Sequence, residues 1–416
     1  MCIQKKCKQQ QVYRLWLLAV VLFIALCSSK ALGQDHSSWH EPSKLIINGS
    51  YLVGTKGHEF GHRENELFLP ASTLKILTSL AAFHLLGPEY RFETHIYLGS
   101  NHNLYIKGYG DPFLTSEEIL RLSLTLYAAG IRNIKKVFLD YSAFELETDT
   151  PGSGQSSNPY DAPNGALAVN FNSLAVTKHP NGTVESAEPQ TPTLPIMQGL
   201  AKYLRPGKQR INIDLLPRNS KLPSAVQYAG ELFLAQLKKA GVMVEEGFER
   251  GTTPAKLSPV LRYKNSKTLQ EMMKECLHYS NNFIANQVFL HCGAVDSGAP
   301  ATWEKSQHFI ENFLIQQLSI SPAEFSIYDG SGLSRNNQIT AQALVTIIRA
   351  FTPYKTLLTS ENGTLLKSGT LEGVYCYVGY LTHHDNTIPF AILLNQKNNK
   401  RDQVLRAIQR LYLSPK

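Results

Sequence analysis

Apolar positions are spaced in three ways along the chain, and each spacing predicts different elements. An unbroken apolar run covers Leu15 to Cys27, and a second one occupies Leu67-Phe-Leu-Pro-Ala-Ser-Thr-Leu-Lys-Ile-Leu-Thr-Ser-Leu80. Pro70 and Ala71 suit the start of a helix. Leu74, Ile76, Leu77, Leu80, Ala81, Phe83 and Leu85 are apolar nearly all round, which predicts a helix buried in a core and ending near Leu86-Gly87-Pro88. Ahead of it, Lys44 to Thr55 reads as two short strands around an Asn48-Gly49 turn, so Asn48-Gly-Ser is assigned to hairpin chemistry rather than to glycosylation. Residues 90 to 110 alternate as strands, Glu117 to Gly130 reads as a helix and Ile134 to Asp140 as a strand. From Glu145 to Asn164 a stretch rich in Ser, Gly, Pro and Asp has no period and predicts a long loop. Strands are expected at Asn170 to Thr177 and Ile211 to Leu216, and an amphipathic helix at Pro223 to Gly241. Helical spacing returns at Thr268 to Leu290 and Thr302 to Leu318. Thr364 to Thr370, Tyr375 to Thr382 and Ile388 to Gln396 read as strands around turns at Glu372-Gly373 and Asp385-Asn386, and Arg401 to Leu413 closes as an amphipathic helix.

Helices and antiparallel strands thus come from both ends of the chain, with a block of different texture between them. The expected fold class is α+β: an antiparallel sheet flanked by helices, split in sequence into 34–83 and 258–416, with a mixed α/β insertion at 84–257. No internal repeat is present.

Composition changes this picture mainly at the amino terminus. With 416 residues, 43% hydrophobic and 18% charged, the chain has the make-up of a globular protein with room for two or three domains. Lys5, Lys6, Lys8 and Arg14 precede the 13-residue apolar run, and Ala31-x-Gly33 offers a small-residue cleavage site, the pattern of a secretory signal peptide over 1–33. Retention of that segment as an anchor is the alternative, so membrane association is expected only through the signal or peripherally. Its removal takes five of the 41 basic residues and no acidic one, leaving 36 against 33, a net charge of +3. A charge that small excludes a nucleic-acid footprint. Cys276, Cys292 and Cys376 remain after cleavage, an odd number that implies no disulfide framework. His383-His384 lacks an accompanying carboxylate or cysteine cluster, so no metal is expected.

Candidate chemistry begins with Ser72 and Lys75, the chain's one Ser-x-x-Lys. Three residues apart on a helix, they share a face at roughly 5–6 Å between Cβ atoms. Burial would strip the ammonium of hydration and lower its pKa, so that a neutral amine could accept the serine proton. Downstream, Ser280-Asn281-Asn282 supplies a Ser-x-Asn read at a helix start, and Lys367-Ser368-Gly369 a Lys-Ser-Gly on a strand. Ser-x-Asn also occurs at Ser156, Ser334 and Ser360 and says little alone, whereas Lys-[Ser/Thr]-Gly occurs once.

In that order the three motifs resemble the signature of penicillin-binding proteins and serine β-lactamases. Tyr160-Asp-Ala-Pro-Asn-Gly-Ala-Leu-Ala-Val-Asn-Phe-Asn-Ser, Gly110-Asp-Pro-Phe-Leu and Asp329-Gly-Ser-Gly-Leu-Ser-Arg335 look like stretches of the class C low-molecular-mass penicillin-binding proteins, D-Ala-D-Ala carboxypeptidases and endopeptidases with an insertion between the first two motifs. The resemblance implies that Ser72 attacks the penultimate D-Ala carbonyl, with Lys75 as base. It further implies that Ser280 relays a proton to the leaving amine, that Asn282 holds Lys75 and the substrate backbone, and that Lys367 grips the terminal carboxylate. Ser368, Gly369 and Thr370 would bind the substrate along the strand, Gly369 by leaving room for the peptide, and the N–H groups of Ser72 and Thr370 would form the oxyanion hole. Expected partners are peptidoglycan stem peptides ending in D-Ala-D-Ala and, as covalent inhibitors, β-lactams. Organic cofactors and metals are not implied, and export to the periplasm or cell envelope is. Ser368 stands where threonine is commoner. The insertion is short for the branch, which leaves open whether an acidic residue between Glu145 and Asp161 meets a diamino-acid side chain. Competing readings are a serine β-lactamase and a non-catalytic muropeptide-binding protein; the first needs a carboxylate that activates water, the second a broken motif, and all three motifs are intact.

Overall fold

The computed structural model describes residues 42–146, 149–215, 222–383 and 386–413. The expected signal at 1–33 lies outside the described residues, as do His384 and Asp385. Along the chain, strands β1 (Gly49–Thr55) and β2 (His58–His62) lead into a 3₁₀ turn (Ala71–Leu74) and helix α1 (Lys75–Leu86). Next come β3 (Glu93–Leu98), β4 (Leu104–Gly108), α2 (Ser116–Ala128), β5 (Val137–Asp140), α3 (Ser224–Lys239), β6 (Phe248–Arg250) and β7 (Pro259–Lys264). Helices α4 (Leu269–Tyr279), α5 (Asn282–Ser297), α6 (Trp303–Asn312) and α7 (Ala341–Ala350) follow, and then β8 (Thr359–Glu361), β9 (Thr364–Leu371), β10 (Val374–His383), β11 (Asn386–Leu394) and α8 (Arg401–Leu413).

Two of these groups form separate sheets. One is six-stranded and antiparallel, in the order β8-β9-β10-β11-β1-β2, so that a strand pair from the amino-terminal end closes a sheet made otherwise from the last sixty residues or so. The other, β6-β5-β4-β3-β7, is mixed: β6, β5 and β4 run parallel, while β3 pairs antiparallel with β4 and β7. A small antiparallel sheet of Ser173–Lys178, Val184–Ser186 and Gly207–Asn212 packs with it. Strand β7 lies past residue 258, where the sequence pattern begins the second catalytic block; its pairing with β3 ties it to the five-stranded sheet instead.

Helix α1 is the axis of the larger core. Every residue from Lys75 to Phe83 is buried, as the all-round apolar pattern predicts. It packs with α4, α5, α6, α7 and the inner sheet face, Leu74, Ile76, Leu77 and Phe83 being at most 3% exposed. At about 1.5–3 kcal/mol for each large apolar side chain buried, this packing fixes the helix more firmly than helix propensity could. The opposite sheet face is covered by Val404, Leu405 and Ile408 of α8. A third core gathers residues from Ile96 to Val242, with Leu122 and Leu126 of α2 against Leu232 and Phe233 of α3.

Local differences from the sequence reading have identifiable causes. Asn48-Gly49 is not a turn: β1 begins at Gly49, pairs through it with Leu394, and turns to β2 at Lys56-Gly57, where Gly57 adopts φ 85°. The run from Thr268 to Leu290 is two helices, because Ser280 turns left-handed at φ 54° and Asn281 caps a new helix by accepting the Ile284 N–H at 3.0 Å. Cys276, Cys292 and Cys376 are buried free thiols.

Candidate active site

Ser72 lies in the 3₁₀ turn and Lys75 is the first residue of α1, so the pair straddles the junction of the two helical pitches. The turn is strained at Ala71, which takes φ 48°, a left-handed conformation costing a non-glycine residue roughly 1–2 kcal/mol. Surrounding loops hold it there. Gly332, itself at φ 81°, comes so close that a Cβ would lie 1.9 Å from the Ala71 carbonyl oxygen, and a Cβ on Gly369 would lie 2.7 Å from the Pro70 oxygen and 3.1 Å from the Ser72 nitrogen. The close approach of strand β9 to the Ser72 turn requires a glycine at 369, a constraint separate from the expected room for a peptide on the strand.

Lys75 is wholly buried. Its Nζ lies 2.9 Å from Ser72 Oγ, 2.7 Å from Asn282 Oδ1 and 2.7 Å from the Ser331 carbonyl oxygen. An ammonium can donate to all three. A neutral amine can donate to the two carbonyl-type oxygens and turn its lone pair to the Ser72 hydroxyl, so the same three neighbours suit both protonation states. Burial lowers its pKa to about 7; the Cys276 thiol opposes the shift and the Lys367 cation reinforces it. Lys367 is buried on β9, its Nζ donating to the Ser368 carbonyl at 2.9 Å, and burial lowers its pKa to about 8.

Of the second motif, Asn282 meets this pair directly. Ser280 is half-buried where α4 ends, one residue before the Asn281 cap of α5, so the Ser280-Asn281-Asn282 motif stands at a helix start as the sequence suggests. Because Asn281 does the capping, neither the Ser280 hydroxyl nor the Asn282 amide is needed for it. The Asn282 amide meets Lys75 through its oxygen and donates from Nδ2 to the Tyr160 carbonyl at 3.4 Å. Strand β8 pairs with β9 only at Thr364, Leu365 and Leu366, so among the described residues no strand covers the outer edge from Lys367 to Leu371. Counting back from the two-residue turn at Glu372-Gly373, antiparallel alternation directs the N–H and C=O of Ser368 and Thr370 to that open edge.

Two contributors, Ser331 and Arg401, escaped the sequence reading. Ser331 acts through its carbonyl, which no side-chain pattern reveals. Asp329, in the Gly-rich run from Asp329 to Arg335 that the sequence singles out, shapes the loop that presents it, accepting N–H bonds from Ser331, Gly332 and Ser334 at 2.6–2.8 Å. Arg401, at the start of α8, donates to the Gly369 carbonyl at 3.1 Å and to Thr370 Oγ1 at 2.8 Å, bracing β9 from behind. Arg335 instead donates to the Glu372 carbonyl. Asp161 turns inward, accepting from Ser156 Oγ at 2.6 Å and the Gly154 N–H at 3.2 Å, so it closes its own loop.

A family model described as the D-Ala-D-Ala carboxypeptidase 3 (S13) family matches residues 54–204 and 217–363. The chain belongs to this family. It is accordingly a serine-type D-Ala-D-Ala carboxypeptidase of the class C penicillin-binding branch. The match takes in Ser72, Lys75, Ser280, Asn282 and the Asp329 loop, and ends before Lys367. Among relatives, the D-alanyl-D-alanine carboxypeptidase of Actinomadura sp. (strain R39) is 26% identical over 84% of this chain and 78% of its own length. In fold, the chain is similar to penicillin binding protein 4 from Haemophilus influenzae, with a TM-score of 0.70 at 20% identity over 90% of this chain and 98% of that one. The same protein complexed with a novel β-lactam gives 0.67 at 20% identity, again over 90% and 98%.

Proposed function

We propose that Ser72 is the acylated nucleophile of a carboxypeptidase that removes the terminal D-Ala from peptidoglycan stem peptides, and that the same site opens D,D-crosslinks. The observation that carries this reading is the contact of a fully buried lysine amine, with a pKa near neutrality, 2.9 Å from a serine hydroxyl. In its neutral form Lys75 takes the Ser72 proton as Oγ bonds to the penultimate D-Ala carbonyl carbon. The N–H groups of Ser72 and Thr370 stabilise the developing oxyanion, a single such donor being worth about 2.7–4 kcal/mol. The half-buried Ser280 hydroxyl passes a proton to the leaving amine as the C–N bond breaks. Lys367 attracts the substrate's terminal carboxylate, and Asn282 orients Lys75 and the acyl side of the peptide. Ser368, Gly369 and Thr370 offer the open edge of β9 as a template for the extended substrate.

Inhibition by β-lactams follows from the same geometry, since the lactam carbonyl and its neighbouring carboxylate present the groups that Ser72 and Lys367 address. A β-lactamase would need a carboxylate free to activate the deacylating water. Asp329, whose charge reaches Lys75, is buried and taken up by backbone N–H groups, which favours a slow-turnover carboxypeptidase. The basic and apolar amino-terminal segment supports export to the cell envelope, where the substrate is. Chromatographic detection of D-Ala released from a pentapeptide stem tests the reading: wild type should release it and Ser72→Ala should not, while equal release by both would refute it.

A further inference from the structure

The cleft does not end at the motifs. Between the last turns of α4 and the segment leading into β8 lies a recess of about 270 Å³, lined by Lys274, Glu275, His278, Tyr279, Leu357 and Thr359 among others. Its two walls are tied to the site. Tyr279 directly precedes Ser280, and Thr359 pairs with Leu366, the neighbour of Lys367. The recess therefore adjoins the two chain segments that carry the groups assigned above to the leaving amine and to its carboxylate. A terminal D-Ala leaves nothing to fill it. When the scissile bond is a crosslink, the leaving amine belongs to the diamino-acid side chain of a second stem peptide, and chain continues past the carboxylate.

We infer that this recess binds the departing stem peptide of a D,D-crosslink, with Lys274 facing its carboxylates and the Tyr279 ring covering its methylene chain. The inference rests on the carboxypeptidase reading and extends it to the leaving-group side. The lining suits that ligand. Tyr279 is 71% exposed, a large apolar surface left open at the mouth of a cleft, with the His278 ring set edge-on to it at 4.6 Å. Lys274, one helical turn before His278, is exposed and lines the same recess, and a stem peptide carries several carboxylates for it to meet. The chemistry is that of the carboxypeptidase step: Ser72 Oγ bonds to the D-Ala carbonyl carbon, the C–N bond breaks, and the second stem leaves as an amine with the relayed proton.

The test compares two substrates on the full chain: a pentapeptide stem, from which D-Ala leaves, and a D,D-crosslinked muropeptide dimer, from which a whole stem leaves. Lys274→Glu and Tyr279→Ala should each lower kcat/KM on the dimer by about three- to tenfold, the range of one screened charge contact or one half-buried ring. D-Ala release should stay within about twofold of wild type, and Lys274→Arg should retain dimer cleavage. Equal losses on both substrates, no loss on the dimer, or a wild type that releases D-Ala but leaves the dimer intact would each overturn the inference while sparing the carboxypeptidase reading. A wild type that releases no D-Ala would overturn that reading, and the recess's role with it.

Discussion

Lys75 Nζ and Asn282 Oδ1 lie 2.7 Å apart although 207 residues separate them in the chain. The contact joins α1 to the start of α5 and leaves the amine no freedom to swing away from Ser72. Lys75→Ala removes the base while leaving the Ser72 hydroxyl and the oxyanion donors in place. Acylation by a fluorescent penicillin, followed by stopped flow, should slow by about 10²–10⁴-fold, the usual contribution of a positioned proton acceptor.

Activity should follow a narrow bell in pH. Burial lowers Lys75 to about 7, and the reaction needs its neutral form, so kcat/KM for D-Ala release rises as pH passes upward through that value. Burial also lowers Lys367 to about 8, and the reaction needs its cation, so the rate falls again above that. A pH profile should peak between the two, and Lys367→Arg should abolish the alkaline fall while keeping a cation on β9.

Arg401 is a positioning residue that acts through β9. Its guanidinium braces Gly369 and Thr370, stacks 4.5 Å from the Tyr377 ring, and its charge helps hold Lys367 down. Arg401→Ala should lower kcat and move the alkaline limb of the pH profile to higher pH, with the acid limb unmoved. A purely structural brace would lower kcat and leave both limbs in place.

Much of the site was legible because its chemistry is carried by side chains whose spacing has meaning in any helix or strand. Ser72 and Lys75 share a face across three residues, and Lys367-Ser368-Gly369 stands in a plain run of strand residues. What escaped is carried by backbone or by tertiary contact. The Ser331 carbonyl has no letter of its own, and Arg401 reads as one more cation on an amphipathic helix. The break between α4 and α5 within the Thr268 to Leu290 run rests on the left-handed Ser280 and the Asn281 cap, which the helical period alone does not locate. Asn48-Gly49 misled for the opposite reason. It has turn chemistry, yet Gly49 is required there because a Cβ would lie 2.3 Å from the Leu393 carbonyl oxygen across the sheet. Between residues 84 and 257 the elements are recognisable one by one in the sequence, but the pairing of β7 with β3, more than 160 residues apart, leaves no local trace.

Gly369→Ala tests whether closeness to the Ser72 turn matters. The added Cβ meets backbone at 2.7 Å from the Pro70 oxygen, and backbone cannot swing aside as a side chain can. The Ser72 turn must shift. Acylation should fall about tenfold or more, as sub-ångström displacements of a nucleophile do, with only a few degrees' loss in Tm.

Intact mass spectrometry after exposure to benzylpenicillin tests the nucleophile most directly. Wild type should gain the mass of one opened penicillin in near-stoichiometric yield, peptide mapping should put it on Ser72, and Ser72→Ala should gain none. An adduct of equal yield on Ser72→Ala would contradict the account.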